Sequence, residues 1–286
     1  MMTSEEYIER VLAIGYDVHC NDQIWWIERS PFFYEPVVPL QVLKRGAAKP
    51  KTYKSLLGYS HLVSSEKDSN ACTSVMLLRE EQLKNYSMQS LSSKRRNKVR
   101  KGLRLTKNIK IESIENVLDD MKQIAISKAI RTGRGKSPEY YVTHYEEWKA
   151  DIIKQFNIDK GKKEYWGSFY NGNLIAFMTV VPINGTMMIN QGSSHTDHLD
   201  KCPNDALRYT FLEYCKTVKE CQQVISGLWS DNKPTLNEFK ESYGFEKVDL
   251  PLYIRDNFPM LRKLLMMKQL RLIKNIVMSY IIHKKK

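Results

Sequence analysis

Two rhythms of apolar and polar positions run along this chain, and the change between them divides it. Up to about residue 110 the pattern is short and broken. Glu5–Ile14 has helical spacing and stops at Gly15. Tyr16–Arg29 alternates as a hairpin turning at Asn21-Asp22, with Ile24, Trp25, Trp26 and Ile27 on the return strand. Val37–Leu43 reads as a further strand, and Pro31, Pro36, Pro39 and Pro50 cut the segment into pieces. Residues 1–90 therefore read as a small α+β lobe. Ser92 or Ser93 caps a helix over Lys94–Leu105 that Gly102 interrupts. Its apolar side is only Val99 and Leu103, which makes residues 91–107 a basic connector helix.

From there the pattern becomes regular. Lys110–Ile114 reads as a strand, Val117–Ile130 as an amphipathic helix, Thr132–Lys136 as a basic loop and Tyr140–Phe156 as a second helix. Tyr165–Tyr170 and Leu174–Val181 form a hairpin, because Asn171-Gly172 supplies both positive φ values of a type I′ turn. Asn184-Gly185 repeats the signal and adds Thr186–Asn190 as a third antiparallel strand. A helix starts at Pro203 and buries Leu207, Phe211, Tyr214, Cys215 and Val218. Val224–Trp229 is a buried strand. Thr235 and Glu238 have the spacing of a capping box, Gly244 closes that short helix, and Phe245–Ile254 is the last strand. This order predicts an α/β domain over residues 108–255, with one mixed sheet and helices on both faces. The Tyr165–Asn190 meander lies at its centre.

Charge sharpens the picture because it is local. The formal net charge is +13. Nine Lys/Arg and no Asp/Glu lie in 94–110, eight and none in 262–286, and the remainder nets −4. Such blocks suit an anionic partner (phosphate, nucleic acid or a membrane face) or are solvated helix surfaces. Five cysteines without a C-x-x-C pair argue against a disulfide framework or a zinc ribbon and for a reducing compartment. No signal peptide or uncharged apolar run of spanning length is legible, so the expectation is a cytoplasmic protein. The histidines show no metal-ligand spacing, and no metal is assigned.

Two sets of residues are more specific. One is Leu91-Ser-Ser-Lys-Arg-Arg-Asn-Lys-Val-Arg-Lys-Gly-Leu-Arg104. The other is Pro203-Asn-Asp-Ala-Leu207, Gly227-Leu-Trp-Ser-Asp231 and Leu236-Asn-Glu-Phe-Lys-Glu-Ser-Tyr-Gly-Phe245. Together they resemble the branch of the GNAT acyltransferase superfamily that holds the FemAB-like aminoacyltransferases and polysaccharide-associated acetyltransferases. The element order after residue 107 is also that of the GNAT fold. The resemblance covers residues 90–255. It implies transfer of an acyl, typically acetyl, group from a thioester such as acyl-CoA to an amine or hydroxyl. The FemAB-like alternative takes an aminoacyl group from tRNA. The acceptor is then a small molecule, a cell-envelope glycan or a lipid-linked precursor. One departure matters: GNAT enzymes cradle the coenzyme A diphosphate on a glycine-rich loop at a helix start. Asn190–Cys202 has a single glycine and two aspartates and does not match that loop.

The resemblance places the acyl carbon at Asn190–Ser193, with Asn190, Gln191, Ser193 and Ser194 toward the donor. His195 is the candidate base, Asp197 and Asp231 are candidate orienting carboxylates, and Tyr243 is the candidate acid. Lys240 matches the lysine of the "F-K" segment and is expected on a donor phosphate. Arg95, Arg96, Arg100 and Lys101 are phosphate-contact candidates. Plainer readings stand beside these: a polar surface loop, a turn aspartate, a solvated lysine, and Tyr243 packed on Phe239. A non-catalytic GNAT-like scaffold that binds RNA or membrane is a further alternative. Finally, 258–286 reads as a basic amphipathic helix, with Leu265, Met266, Leu270, Leu272, Ile273, Ile276 and Val277 on one side and Lys268, Arg271 and Lys274 on the other. That suits peripheral attachment to an anionic membrane or docking onto protein.

Overall fold

A computed structural model describes residues 1–47, 49–52 and 55–260. Most of the proposed tail helix, residues 261–286, lies outside the described residues. The described residues divide into two compact units, one of residues 1–10 and 74–248, the other drawn from residues 11–73 and 249–260.

The larger unit is built on a mixed sheet. Its strands are β5 (Ala71–Arg79), β6 (Lys107–Lys110), β7 (Glu164–Tyr170), β8 (Asn173–Ile183), β9 (Thr186–Ser194) and β10 (Gln223–Leu228), in the order β5-β10-β9-β8-β7-β6. Neighbours are antiparallel except β9 and β10, which are parallel. The meander β7-β8-β9 sits in the middle of this unit. Asn171 (φ 49°) and Gly172 (φ 86°) close its first turn, Asn184 (φ 45°) and Gly185 (φ 75°) its second, as the Asn-Gly pairs require.

Helices cover both faces. α4 (Leu118–Thr132) and α6 (Tyr145–Asp159) pack on one, where Met121, Ile124, Tyr165 and Phe177 are buried and half-buried Trp148 and Phe156 pack against them. α3 (Ser93–Leu105) and α7 (Pro203–Thr217) pack on the other, over Trp166, Met178, Val180, Met187, Leu207 and Phe211. α7 carries the chain from β9 to the parallel β10, the long crossover that such a pair needs. On the α4 side, buried Asp159 accepts from Arg10 Nε (2.5 Å), Lys163 Nζ (3.2 Å) and the Tyr165 hydroxyl (3.3 Å). That ties the start of α1 (Ser4–Ile14) to this unit.

The smaller unit holds β1 (Val18–Asn21), β2 (Ile24–Ser30), β3 (Phe33–Pro36), β4 (Gly58–Leu62) and the end of β11 (Glu246–Asp256), with Trp26, Tyr34 and Tyr59 at its centre.

Several expectations change. Val37–Leu43 is not a strand: Pro36 precedes it, Pro39 breaks it, Leu40 takes φ 58°, and a single bridge at Val42 remains. β3, β4 and β5 escaped notice. The strand expected at 110–114 lies at Lys107–Lys110. The helix expected at 140–156 is two, α5 (Pro138–Thr143) and α6, broken at His144. β9 runs four residues beyond Asn190. Thr235 forms no capping box; Lys233 stands at the N-cap of α8 (Pro234–Glu241), with Pro234 in its first turn. α3 is not interrupted at Gly102, and of its thin apolar side Val99 is completely buried while Leu103 stays exposed.

Candidate active site

The sheet opens where two parallel strands part. β9 and β10 are paired only at Thr186–Met188 with Gln223–Ile225. Beyond Met188 the edge that β9 turns toward β10 has no strand partner, while its other edge stays on β8 up to Ser194. The ladder to β8 jumps from Ile189↔Val180 to Gln191↔Thr179, which makes Asn190 the extra residue of a β-bulge. β10 leaves its own register with β5 between Ile225 and Leu228, where Gly227 takes φ 68°. A wedge with unpaired backbone groups results, and Asn190, Gln191 and Gly192 on its β9 side are exposed.

Past the bulge, successive residues of β9 serve opposite faces. Ser194 accepts from Asn204 of α7 at 2.9 Å. Ser193 accepts from Lys128 of α4 at 3.0 Å and from Gln191 at 3.4 Å.

On the α7 face two side chains meet at Asp205. Arg95 pairs with its carboxylate, and the Tyr243 hydroxyl donates to Oδ1 at 3.1 Å and to the Asp205 carbonyl at 3.3 Å. The Arg95 guanidinium lies 4.9 Å from the Phe239 ring centroid and 5.1 Å from that of Tyr243. Tyr243 is completely buried, and burial, then the Asp205 charge, push its phenol far above the ordinary range. One turn along, Arg208 donates to the buried Ser226 hydroxyl of β10 at 2.8 Å and lies 5.7 Å from the rings of Phe239 and Phe245. Lys240, 6% exposed, donates to the Leu228 carbonyl at 2.8 Å. Burial first, then the charges of Arg208 and Lys233, hold its ammonium down to about 8. Among the described residues neither Arg208 nor Lys240 pairs with a carboxylate. Two desolvated cations therefore stand together at the end of β10, a costly arrangement unless an anion joins them.

The other expected residues are placed as follows. His195 is half-buried and accepts from the Asp197 backbone N–H at 3.3 Å; Asp197 is exposed. Asp231 is exposed and accepts from the Trp229 indole at 2.9 Å. Arg96 donates to the Leu91 carbonyl at 3.0 Å, and Arg100 and Lys101 face solvent. The structure thus brings Lys240 and Tyr243 to the α7 face with Arg95, and Ser193, Ser194 and His195 to the end of β9. Sequence reasoning missed Asp205, Arg208, Lys128 and the bulge at Asn190. Asp205 lies within the Pro203–Leu207 segment it had singled out and Arg208 directly follows it; the i, i+3 spacing from Asp205 to Arg208 and from Arg208 to the buried Phe211 was the available signal. Among the described residues no group of three His, Cys, Asp or Glu is placed to hold a metal.

No protein-family profile matches the sequence, and no curated protein does. Solved structures do. FemX superposes with a TM-score of 0.60 over 91% of this chain and 92% of FemX, at 10% identity. The fold is GNAT-like, of the FemAB kind. The C-terminal domain of a putative lysylphosphatidylglycerol synthetase from Agrobacterium fabrum superposes on this chain with a TM-score of 0.59 over 93% and 95% of the two chains at 10% identity. L-PGS from Bacillus licheniformis gives 0.56 over 91% and 95% at 13%. At such identities the likeness is one of fold.

Proposed function

We propose that this chain is an acyl- or aminoacyltransferase whose reacting carbonyl sits in the wedge between β9 and β10. The observation that carries the reading is the pair of carboxylate-free cations, half-buried Arg208 and buried Lys240, at the end of a strand whose neighbour presents a bulge and an unpaired edge. Acyl transfer builds negative charge on the carbonyl oxygen and on the leaving group. Unpaired N–H groups of β9 suit the first, and Lys240 with Arg208 suits the second. His195 and Asp197 stand beside Ser194 at the end of the same strand, where a base would deprotonate an attacking amine or hydroxyl.

The start of α7 bears on the donor. A diphosphate cradle needs free N–H groups there. Pro203 has none, those of Asp205 and Ala206 bond to the Cys202 carbonyl (3.1 and 3.2 Å), and Asp205 sets a carboxylate in the first turn. This favours an aminoacyl ester of tRNA over acetyl-CoA, and the names of the superposing lysylphosphatidylglycerol synthetases point the same way. The acceptor is a glycan or lipid-linked precursor, or a small amine or alcohol. Labelled aminoacyl-tRNA and labelled acetyl-CoA, each offered to wild type, Lys240→Ala and Arg208→Gln, test the reading. One donor should be consumed, and loss of a preorganised cation should lower kcat by ~10²–10³-fold. Consumption of neither donor, or equal rates in all three proteins, would overturn it.

A further inference from the structure

A serine and a lysine meet where β9 runs past its bulge. Lys128, in the second half of α4, places Nζ 3.0 Å from Ser193 Oγ. Ser193 is 5% exposed and Lys128 is half-buried, so the pair is largely withdrawn from water. Among the described residues no carboxylate pairs with this lysine. The carboxylates of α4 itself, Asp119 and Asp120, lie at its other end and are engaged by the Tyr145 hydroxyl and the Leu174 N–H. Arg131, one turn further along α4, donates to the Ser194 carbonyl and to Thr196 Oγ1, each at 3.4 Å. Those two bonds fix a second positive charge beside the lysine. Burial first, then the charges of Arg134 and Arg131, disfavour the Lys128 ammonium. A lysine that gives up its proton turns from donor into acceptor. The same contact can then take the hydrogen of the Ser193 hydroxyl.

The hydroxyl stands on the strand where acyl chemistry would occur. Ser193 lies three residues beyond the bulge at Asn190, on the stretch of β9 whose edge toward β10 is unpaired. Next to it Gly192 leaves room: a Cβ there would meet no atom within 4 Å. Gln191 Nε2, 3.4 Å from Ser193 Oγ, is a second donor to the same oxygen. Direct transfer to the acceptor uses neither Ser193 nor Lys128. Resting on the transferase reading above, we propose that Ser193 is a nucleophile with Lys128 as its base, so that transfer runs through an acyl-serine. In the first half, neutral Lys128 Nζ takes the proton of Ser193 Oγ as Oγ bonds to the carbonyl carbon of the donor. The bond from that carbon to the leaving oxygen or sulfur then breaks, and the leaving group departs with the proton that Lys128 holds. In the second half, the acceptor amine or hydroxyl loses a proton and attacks the acyl carbon, the bond to Oγ breaks, and Oγ is protonated again. Water in place of the acceptor makes the same pair an esterase toward small activated esters.

p-Nitrophenyl acetate tests this on the full chain, because it needs neither tRNA nor coenzyme A. After acid quench and digestion, mass spectrometry should find acetyl on the Ser193 peptide, and p-nitrophenolate should appear in a burst before steady turnover. Ser193→Ala should lose both signals. Lys128→Met should slow acylation by ~10²–10⁴-fold, the usual contribution of a positioned base. Lys128→Arg keeps a donor and a charge but cannot accept the proton, so it should be equally slow. A merely structural lysine would be rescued by arginine. Should Lys128→Met not fold, Lys128→Arg and Ser193→Ala, which removes a single hydroxyl, decide the matter. No adduct on Ser193, acetyl on Lys128 instead, or a full rate in Lys128→Arg overturns the proposal. Consumption of aminoacyl-tRNA or acetyl-CoA is read separately. If the wild type consumes neither while the ester acetylates Ser193, the transferase reading falls and the acyl-serine stands. If a donor is consumed equally fast by Ser193→Ala, the transferase reading stands and the acyl-serine falls.

Discussion

Lys240 shows how one residue's surroundings set its use. Its ordinary pKa of 10.5 falls to about 8 because burial and two neighbouring cations penalise the charged form. At pH 7 it is still protonated, and a bound anion would hold it so. Affinity for an anionic donor should therefore fall as pH rises through about 8, while Lys240→Arg should give a flat profile, since guanidinium stays charged. Measuring donor KM from pH 6 to 10 in both proteins checks this. Stability gives an independent sign. The unfolded chain keeps the proton up to 10.5, so between about 8 and 10.5 it binds more protons than the folded one. The ligand-free protein should then gain stability with rising pH across that window. Urea titrations at pH 7.5 and 10 should show the gain in wild type and lose it in Lys240→Met.

At the scale of elements, α3 and α7 meet at Gly102. A Cβ there would lie 2.6 Å from the Cys202 carbonyl oxygen and 2.7 Å from the Ala206 Cβ. Helix propensity alone favours Gly102→Ala by ~0.5–1 kcal/mol. Packing opposes it, because the near atoms are backbone and a β-carbon that cannot rotate aside; overpacking of this kind costs ~1–3 kcal/mol. Packing should win, and the urea midpoint of Gly102→Ala should fall with an unchanged m-value. A raised midpoint would mean that the two helices separate easily. The close approach also explains why α3 is more than a connector: the glycine that looked like an interruption lets α3 lie against α7, close enough for Arg95 to pair with Asp205.

The whole molecule remains strongly basic, and its charge is unevenly used. Arg95 is paired inside, whereas Lys94, Lys98, Arg100, Lys101 and Arg104 line the open side of α3. Among the described residues no helix is long and apolar enough to cross a membrane. The sequence of 261–286 still carries eight Lys/Arg without an acid. Each basic residue near an anionic bilayer contributes ~1 kcal/mol. A chain ending at Met260 should sediment less with vesicles of phosphatidylglycerol and phosphatidylcholine than the full chain, and added salt should erase the difference. Equal sedimentation of the two would assign the tail a packing role instead.

What could be read along the chain was what short-range physics encodes. Both Asn-Gly turns, the meander they close, the helix opened by Pro203 and the apolar faces of α4 and α7 depend on neighbours within a few residues. Elements interrupted by proline, or half-polar like β5, lacked that signal. The motif resemblance supplied Lys240 and Arg95, and the polar composition of the segment after Asn190 drew attention to the end of β9. Tertiary structure alone decided what these side chains meet. Lys128 and Ser193 stand 65 positions apart, Arg95 and Asp205 110 apart. Whether a cation is paired, and therefore whether it is available to an anion, depends on which distant carboxylate the topology delivers. Arg95 received Asp205. Arg208, three residues from that same aspartate, received a serine hydroxyl and two aromatic rings, because its position on α7 turns it toward β10 and α8.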